Sequence, residues 1–149
     1  MDSKSLKNLT DDEKKSFLNI FEKKIFKQND IIKKENKNTK EAFFLKSGEV
    51  IVKKSTTEGE DEVATLKPDD GIFFSISCMI DGKNSLTTVV AKNDGEILSV
   101  SKDSFFDFCK NNPSTGVKIL KNVTEMLVGF LRKSDESINN MYKTLEEVL

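Results

Sequence analysis

The sequence predicts a mainly β domain with flanking helices, followed by one long C-terminal helix. Three observations predict it. Between Ile25 and Ser101, short apolar runs are broken by turn residues about every eight to twelve positions, the spacing of an antiparallel sandwich or barrel. A helix-capping signal at Thr10 comes before this region. From Ser114 to Leu149 there is no proline, and the apolar positions change to a helical period.

The first helix is read from Thr10-Asp11-Asp12-Glu13, a capping box with a hydroxyl at the cap and a carboxylate three residues on. Its acids suit the positive end of the helix dipole. Phe17, Leu18 and Phe21 supply its apolar face. The apolar runs that follow are Ile31-Ile32, Phe43 to Leu45, Val50 to Val52, Val63 to Leu66, Ile72 to Phe74, Thr87 to Ala91 and Ile97 to Val100. Gly48 stands between two of them, where a tight bend needs positive φ. Pro68 falls between runs, as a residue without an N–H should. After Val100, Ser101 or Asp103 caps a short helix carrying Phe105, Phe106 and Phe108. That helix stops before Asn112-Pro113, because the residue preceding proline avoids the α region.

The last segment reads as one helix of about 35 residues, roughly 50 Å long at 1.5 Å per residue. Val117, Thr124, Leu131, Ile138 and Leu145 recur every seven residues, with Leu120, Leu127, Ser134, Met141 and Val148 three later. All but Thr124 and Ser134 are apolar, which is a coiled-coil pattern. Leu120, Leu127, Leu131, Ile138, Met141 and Leu145 form the expected dimer seam. The first half carries a second stripe, Ile119, Val123, Met126 and Phe130, so it is expected to lie on the β domain while also pairing. The second half is expected only to pair. The flanking positions Asp135, Ser137, Tyr142 and Thr144 offer few opposite charges, which favours a homodimer. The division expected is residues 1–113 as the β domain with its short helices and residues 114–149 as the dimerisation helix.

Composition narrows the function classes. The chain has 149 residues, 36% hydrophobic and 33% charged, with a net charge of −1, so no global field directs it to nucleic acid or membranes. Of its 24 basic residues only Arg132 is an arginine. There is no histidine, which excludes His-based catalysis and His metal ligation. Cys78 and Cys109 make no disulfide framework and no zinc spacing; they read as core residues. The carboxylate pairs Asp11-Asp12, Asp69-Asp70 and Glu146-Glu147 fall at caps, turns and a helix end, so no catalytic residue, metal site or cofactor is assigned. The expectation is a non-enzymatic, reduced, cytoplasmic protein with no membrane segment. Lys33, Lys34, Glu35, Lys37 and Lys40 read as a solvated face, since a nucleic-acid patch would add arginine and aromatics.

Local motifs add a resemblance. Phe44-Leu45-Lys46-Ser47-Gly48-Glu49-Val50-Ile51-Val52 looks like the apolar–Gly–Val–x–Val hairpin of cyclic-nucleotide-binding domains. Lys27 to Ile32 resembles that family's turn into an early strand, and Leu66 to Asp70 the turn before its phosphate cassette. Thr88 to Ala91 resembles the strand leaving the cassette, and Phe105 to Pro113 the short helix before the long one. The resemblance covers nearly the whole chain. It implies a double-stranded β-helix, or jelly roll, of eight strands with a long C-terminal dimerisation helix, as in catabolite-activator-like regulators and protein kinase A regulatory subunits.

The cassette departs from the family pattern. Members that bind cyclic nucleotides carry Phe-Gly-Glu at its start, the glutamate for the ribose, and Arg-(Ser/Thr)-Ala near its end, the arginine for the phosphate. Here Phe73-Phe74-Ser75 and Ser85-Leu86-Thr87 stand there. Phe74 takes the glycine's place and Ser75 the glutamate's, while Ser85 takes the arginine's and Leu86 the hydroxyl's. A charge-assisted hydrogen bond contributes about 1.5–3 kcal/mol and arginine's fork makes two. Losing phosphate and ribose partners together weakens binding by roughly three to four orders of magnitude. Lys83 offers a point charge nearby, and Ser134 falls near the family's base-contacting position on the long helix.

The expectation is therefore a regulatory or interaction module with a degenerate cassette, acting as a homodimer toward a protein partner. Its pocket residues are Phe74, Ser75, Lys83, Ser85, Leu86, Thr87 and Ser134, and cyclic-nucleotide binding is not favoured. The alternatives are a small-molecule sensor with a remodelled pocket, and a regulator cut short of its helix-turn-helix, since the sequence ends at Leu149. Direct nucleic-acid binding is not expected.

Overall fold

The computed structural model describes residues 3–71 and 73–149. Ile72, read from the sequence as the start of a strand, lies outside the described residues. A 3-10 turn, Lys4–Leu6, leads to α1, Asp11–Leu18, which opens on the expected capping box. The Thr10 hydroxyl accepts from Glu13 N–H at 3.2 Å, and the Glu13 carboxylate accepts from Thr10 N–H at 3.0 Å.

Eight strands follow: β1 Glu22–Phe26, β2 Ile31–Lys33, β3 Glu41–Ser47, β4 Val50–Thr56, β5 Gly59–Leu66, β6 Phe73–Phe74, β7 Thr88–Ala91 and β8 Gly95–Ser101. A short helix, α2, Ile76–Asp81, separates β6 from β7. The strands form two antiparallel sheets, ordered β1-β8-β3-β6 and β2-β7-β4-β5. Gly48 turns β3 into β4 at φ 80°, with Asp94 O only 2.7 Å from where a Cβ would sit, so no other residue fits there. This is the double-stranded β-helix that the resemblance implies. β1 is the strand with no apolar run of its own: in Glu22 to Phe26 only Phe26 is buried.

The Phe43-Phe44-Leu45 run is continuous because β3 is covered on both faces. Phe43 and Leu45 point into the roll with Val50, Val89 and Ile97. Ala42 and Phe44 point outward under the helices, with Phe17, Phe105, Ile119 and Val123. The two-residue β6 repeats this division. Phe74 pairs with Phe43 inside, at 5.3 Å between ring centroids, and Phe73 stacks on Phe44 outside, at 4.5 Å.

Helix α3, Lys102–Asn111, is capped by the Ser101 hydroxyl, which accepts from Ser104 N–H. Helix α4 runs Pro113–Val148. It crosses α3 at Gly116, where an added Cβ would meet Cys109 Cα at 2.8 Å. Ile119 and Val123 are fully buried, and Leu120, Met126 and Leu127 are half-buried against the same core. The Asn122 amide donates to Ser5 O and Lys7 O, holding the N-terminal turn to the helix. Every residue from Leu131 to Leu149 is exposed, including Ile138, Met141 and Leu145.

One expectation is corrected here. Lys33, grouped with the solvated lysines, is only 8% exposed. β2 is short and bulged beside β7, so Lys33 comes to lie opposite the buried Val89 and faces the interior.

Candidate functional site

The cassette is built from β6, α2 and the loop before β7. Phe73 and Phe74 enter as strand. Ser75 then turns at φ 66°, the left-handed region that costs a non-glycine residue about 1–3 kcal/mol. Met79 N–H bonds Ser75 O at 3.2 Å to start α2, and Gly82 N–H bonds Cys78 O at 3.0 Å to end it. The glycine-like conformation therefore falls on Ser75. The sequence pattern expects it at Phe74, which is strand backbone with its ring in the roll. The shift by one residue leaves Ile76, also buried, directly after the left-handed position.

A cavity of about 320 Å³ lies beside this turn. Ala64 and Leu66 of β5 form one wall, Phe73 to Ser77 another, and Met126, Leu127 and Phe130 of α4 the third. The lining is apolar except for the serines. The Ser75 hydroxyl is enclosed and has no hydrogen-bond partner. An orphan polar group of this kind costs about 1–3 kcal/mol. Strain and an unpaired hydroxyl thus coincide on one residue beside the cavity, the hydroxyl itself being enclosed by protein.

The other sequence-predicted pocket residues are not brought to this cavity. Ser85 is fully buried, but its hydroxyl donates to Thr87 O at 2.6 Å and accepts from Thr87 N–H at 3.1 Å. Its backbone is held to the stretch after β2, by Asn36 N–H to Ser85 O and Ser85 N–H to Lys37 O. The Asn38 amide also bonds Gly82 O, and Glu35 N–H bonds the Thr88 hydroxyl. Leu86 is 73% exposed and projects away from the protein. Lys83 is exposed, and its N–H donates to the Asp81 carboxylate. Thr87 is half-buried beside Ser85. Ser134 is exposed on α4, beyond Phe130 and outside the lining. Of the seven, only Phe74 and Ser75 line the cavity.

Neither residue type that the resemblance implies for a cyclic nucleotide, an arginine and a glutamate, stands at these positions. Ser85 offers no cation and its hydroxyl is used locally, while Arg132 is exposed on the free half of α4. Ile76, after the left-handed residue, has no carboxylate.

Sequence alone signals neither the burial of Lys33 nor the part that α4 plays in lining the cavity. Strand pairing places Lys33 opposite Val89, Val89 opposite Val52, and Val52 opposite Ala64. One row thus crosses the four-stranded sheet from Lys33 to the cavity wall. Burial pushes the Lys33 ammonium below its ordinary pKa, while the nearby Cys78 thiol acts in the opposite direction. Burial raises the Cys109 thiol. Met126 and Phe130 appeared in the sequence as a helix stripe; only the fold shows that this stripe roofs a cavity. Among the described residues no group of side chains is arranged to hold a metal ion, and no helix is long and apolar enough to cross a membrane.

Comparison with known proteins gives a family match and a set of structural relatives. The family model described as "Cyclic nucleotide-binding domain" matches residues 23–112. The chain is similar to the catabolite activator protein of Thermus thermophilus, with TM-score 0.85 and 21% identity, covering 93% of this chain and 63% of that one. It therefore spans less than two thirds of that protein's length. A cyclic nucleotide-binding domain from Methylobacillus flagellatus superposes with TM-score 0.78 and 21% identity, over 87% of this chain and 72% of that one. The regulatory domain of Toxoplasma gondii PKA, solved with cAMP, gives TM-score 0.63 and 16% identity, over 71% and 40%. At these identities the likeness is one of fold. Among curated proteins, none matches the chain.

Proposed function

This chain belongs to the cyclic nucleotide-binding domain family, and from that premise we propose that it is a non-catalytic regulatory module whose remodelled pocket does not hold cAMP or cGMP by the usual contacts. The observation that carries the reading is Ser85. It stands where the resemblance puts the phosphate-binding arginine, and its hydroxyl closes on Thr87 while its main chain is tied to Asn36 and Lys37. Filling that place with local hydrogen bonds leaves nothing there to pair with a phosphate.

Residues 1–113 act as the sensing or docking body and residues 114–149 as the output helix. The exposed Leu131, Ile138, Met141 and Leu145 at heptad spacing support pairing with a second copy, in which the free half of α4 covers its apolar stripe. The dimer presents its surfaces to a protein partner.

A second reading, a sensor for another small molecule, is favoured by the cavity of about 320 Å³ beside the strained Ser75 turn, whose walls suit an apolar occupant.

Calorimetric titration of the full chain with cAMP and cGMP tests the first claim. No heat of binding is expected at micromolar ligand, and micromolar or tighter affinity overturns it. Light scattering tests the pairing. The full chain is expected at twice its monomer mass at tens of micromolar, and the double variant Ile138→Glu, Met141→Glu at monomer mass. A monomeric parent chain would end the pairing reading.

A further inference from the structure

A second cavity, of about 380 Å³, lies between the N-terminal 3-10 turn and α4. Lys4 and Lys7 of the turn form one wall, and Asn122, Met126, Gly129 and Lys133 of the helix the other. The volume falls within the ordinary range of small-molecule sites, about 300–1,000 Å³. The walls are fixed to each other. Leu6 is buried in the core beside Ile119, and the Asn122 amide donates to Ser5 O and Lys7 O.

The floor is apolar and the rim cationic. Met126 is half-buried, and Phe130, which also borders this cavity, is half exposed. Lys4, Lys7 and Lys133 are exposed, and among the described residues none of their ammonium groups has an ion pair or a hydrogen bond. Glu125 is the one carboxylate of the lining, and Lys121 Nζ stands 3.8 Å from it. The whole chain carries a net charge of −1, so the excess of lysine is local to this cavity. Gly129 is an independent observation. Glycine inside a helix is less stable than alanine there. A Cβ at Gly129 would meet nothing within 4 Å, so no internal contact requires the glycine, and its effect is to leave the cavity open down to the helix backbone. At about 100° per residue, Asn122, Met126, Gly129 and Lys133 lie roughly 150° around the helix from Leu120, Leu127 and Leu131. A partner helix on that seam leaves the cavity uncovered.

We propose that this cavity is a binding site for a small organic acid with an apolar body, an aryl- or alkylcarboxylate. The proposal does not rest on how the cassette is read. The carboxylate pairs with the ammonium groups of Lys4, Lys7 and Lys133, and the body lies on Met126 and Phe130 over the gap at Gly129. Exposed ion pairs contribute little each, so three lysines against one carboxylate favour the acid over a neutral molecule of the same shape by about 10-fold.

Two probes with one aromatic body test this: 4-phenylbutyrate, an acid, and 4-phenyl-1-butanol, which is neutral. Each is titrated into the full chain and followed by amide chemical shifts, which also report folding. In the parent chain the shifts should centre on Lys7, Asn122 and Gly129, with the acid about 10-fold tighter than the alcohol. The triple variant Lys4→Gln, Lys7→Gln, Lys133→Gln should bring the acid to the affinity of the alcohol, while arginine at the same three positions keeps the margin. Gly129→Trp, which fills the cavity without meeting a neighbour, should abolish binding of both probes, and Ala64→Trp in the cassette cavity should leave both unchanged. No saturable shifts with 4-phenylbutyrate, equal affinity for acid and alcohol, or a margin that survives the glutamine variant would each overturn the proposal. Shifts centred on Phe74 and Ser75 that vanish in Ala64→Trp would also overturn it, and would favour the sensor reading of the cassette cavity instead.

Discussion

The two halves of α4 carry apolar residues at the same helical spacing and meet opposite environments. Between Pro113 and Phe130 the helix buries Ile119 and Val123, crosses α3 at Gly116, holds the N-terminal turn through Asn122 and roofs the cavity with Met126 and Phe130. From Leu131 onward every residue is exposed, although Ile138, Met141 and Leu145 would serve equally well in a core. Helical period decides which residues share a face. What covers that face depends on how far the β roll extends along the helix, and here it stops near Phe130.

The comparison can be broken in four places, taken from the largest effect to the smallest. Ile119→Ala empties a fully buried site and should lower stability by about 2–5 kcal/mol. Ile138→Ala, measured below the concentration at which chains pair, should change it by less than about 0.5 kcal/mol. Denaturant titration of the two variants side by side checks this, and equal losses would mean that the second half is covered within its own chain.

Gly116→Ala pushes a methyl into the Cys109 backbone at the α3–α4 crossing. Thermal melting should report a loss of about 1–3 kcal/mol. The same change at Gly129, which has nothing within 4 Å of the added Cβ, should stabilise through helix propensity by up to about 1 kcal/mol. Asn122→Ala leaves Ser5 O and Lys7 O without their donor. Its cost should be about 1–2 kcal/mol, with hydrogen exchange speeding up in residues 4–9 ahead of the rest of the domain.

The fourth place is Glu13, which ties α1 to the docked half of α4. Its carboxylate accepts from Lys118 Nζ and the Thr115 hydroxyl, both at 2.7 Å, and from Thr10 N–H. The Lys118 contact first, then those to Thr10 and Thr115, hold its pKa down at about 2 from an ordinary 4.5. A depressed carboxylate contributes its stability above the unfolded-state value and loses it as pH falls through the folded one. The melting temperature of Glu13→Gln should therefore lie a few degrees below the parent at pH 7, and the gap should close between pH 4.5 and 2. A gap constant with pH would mean that the charge contributes nothing.

Most of the fold was legible because each element carries its own local signal. Thr10 and Glu13 mark a cap through two hydrogen bonds within four residues. The Phe43 to Leu45 run marks a strand covered on both faces, and Asn112-Pro113 separates two helices by steric restriction alone. β1 was not legible, because Glu22 to Ile25 read as polar surface and are held by pairing to β8, more than 70 residues away. The site was less legible than the fold. That neither an arginine nor a glutamate stands at Phe73-Phe74-Ser75 or Ser85-Leu86-Thr87 was visible in the residue types. The exposed direction of Leu86, the closure of Ser85 on Thr87 and the strained turn at Ser75 depend on how the cassette packs.

By itself the sequence determined the element order, the mainly β class, the break between the last two helices at Asn112-Pro113 and the absence of a guanidinium in the cassette. These follow from period, capping and residue type, which act over a few neighbours. Only the tertiary structure decided that Lys33 leaves the solvated lysines for the interior and that Phe130 roofs a cavity. It also decided that one half of α4 packs on the domain through Gly116, Ile119, Asn122 and Val123 while the other half is exposed. Those outcomes depend on which strand lies beside which, and strand pairing joins residues too far apart in sequence for local chemistry to anticipate.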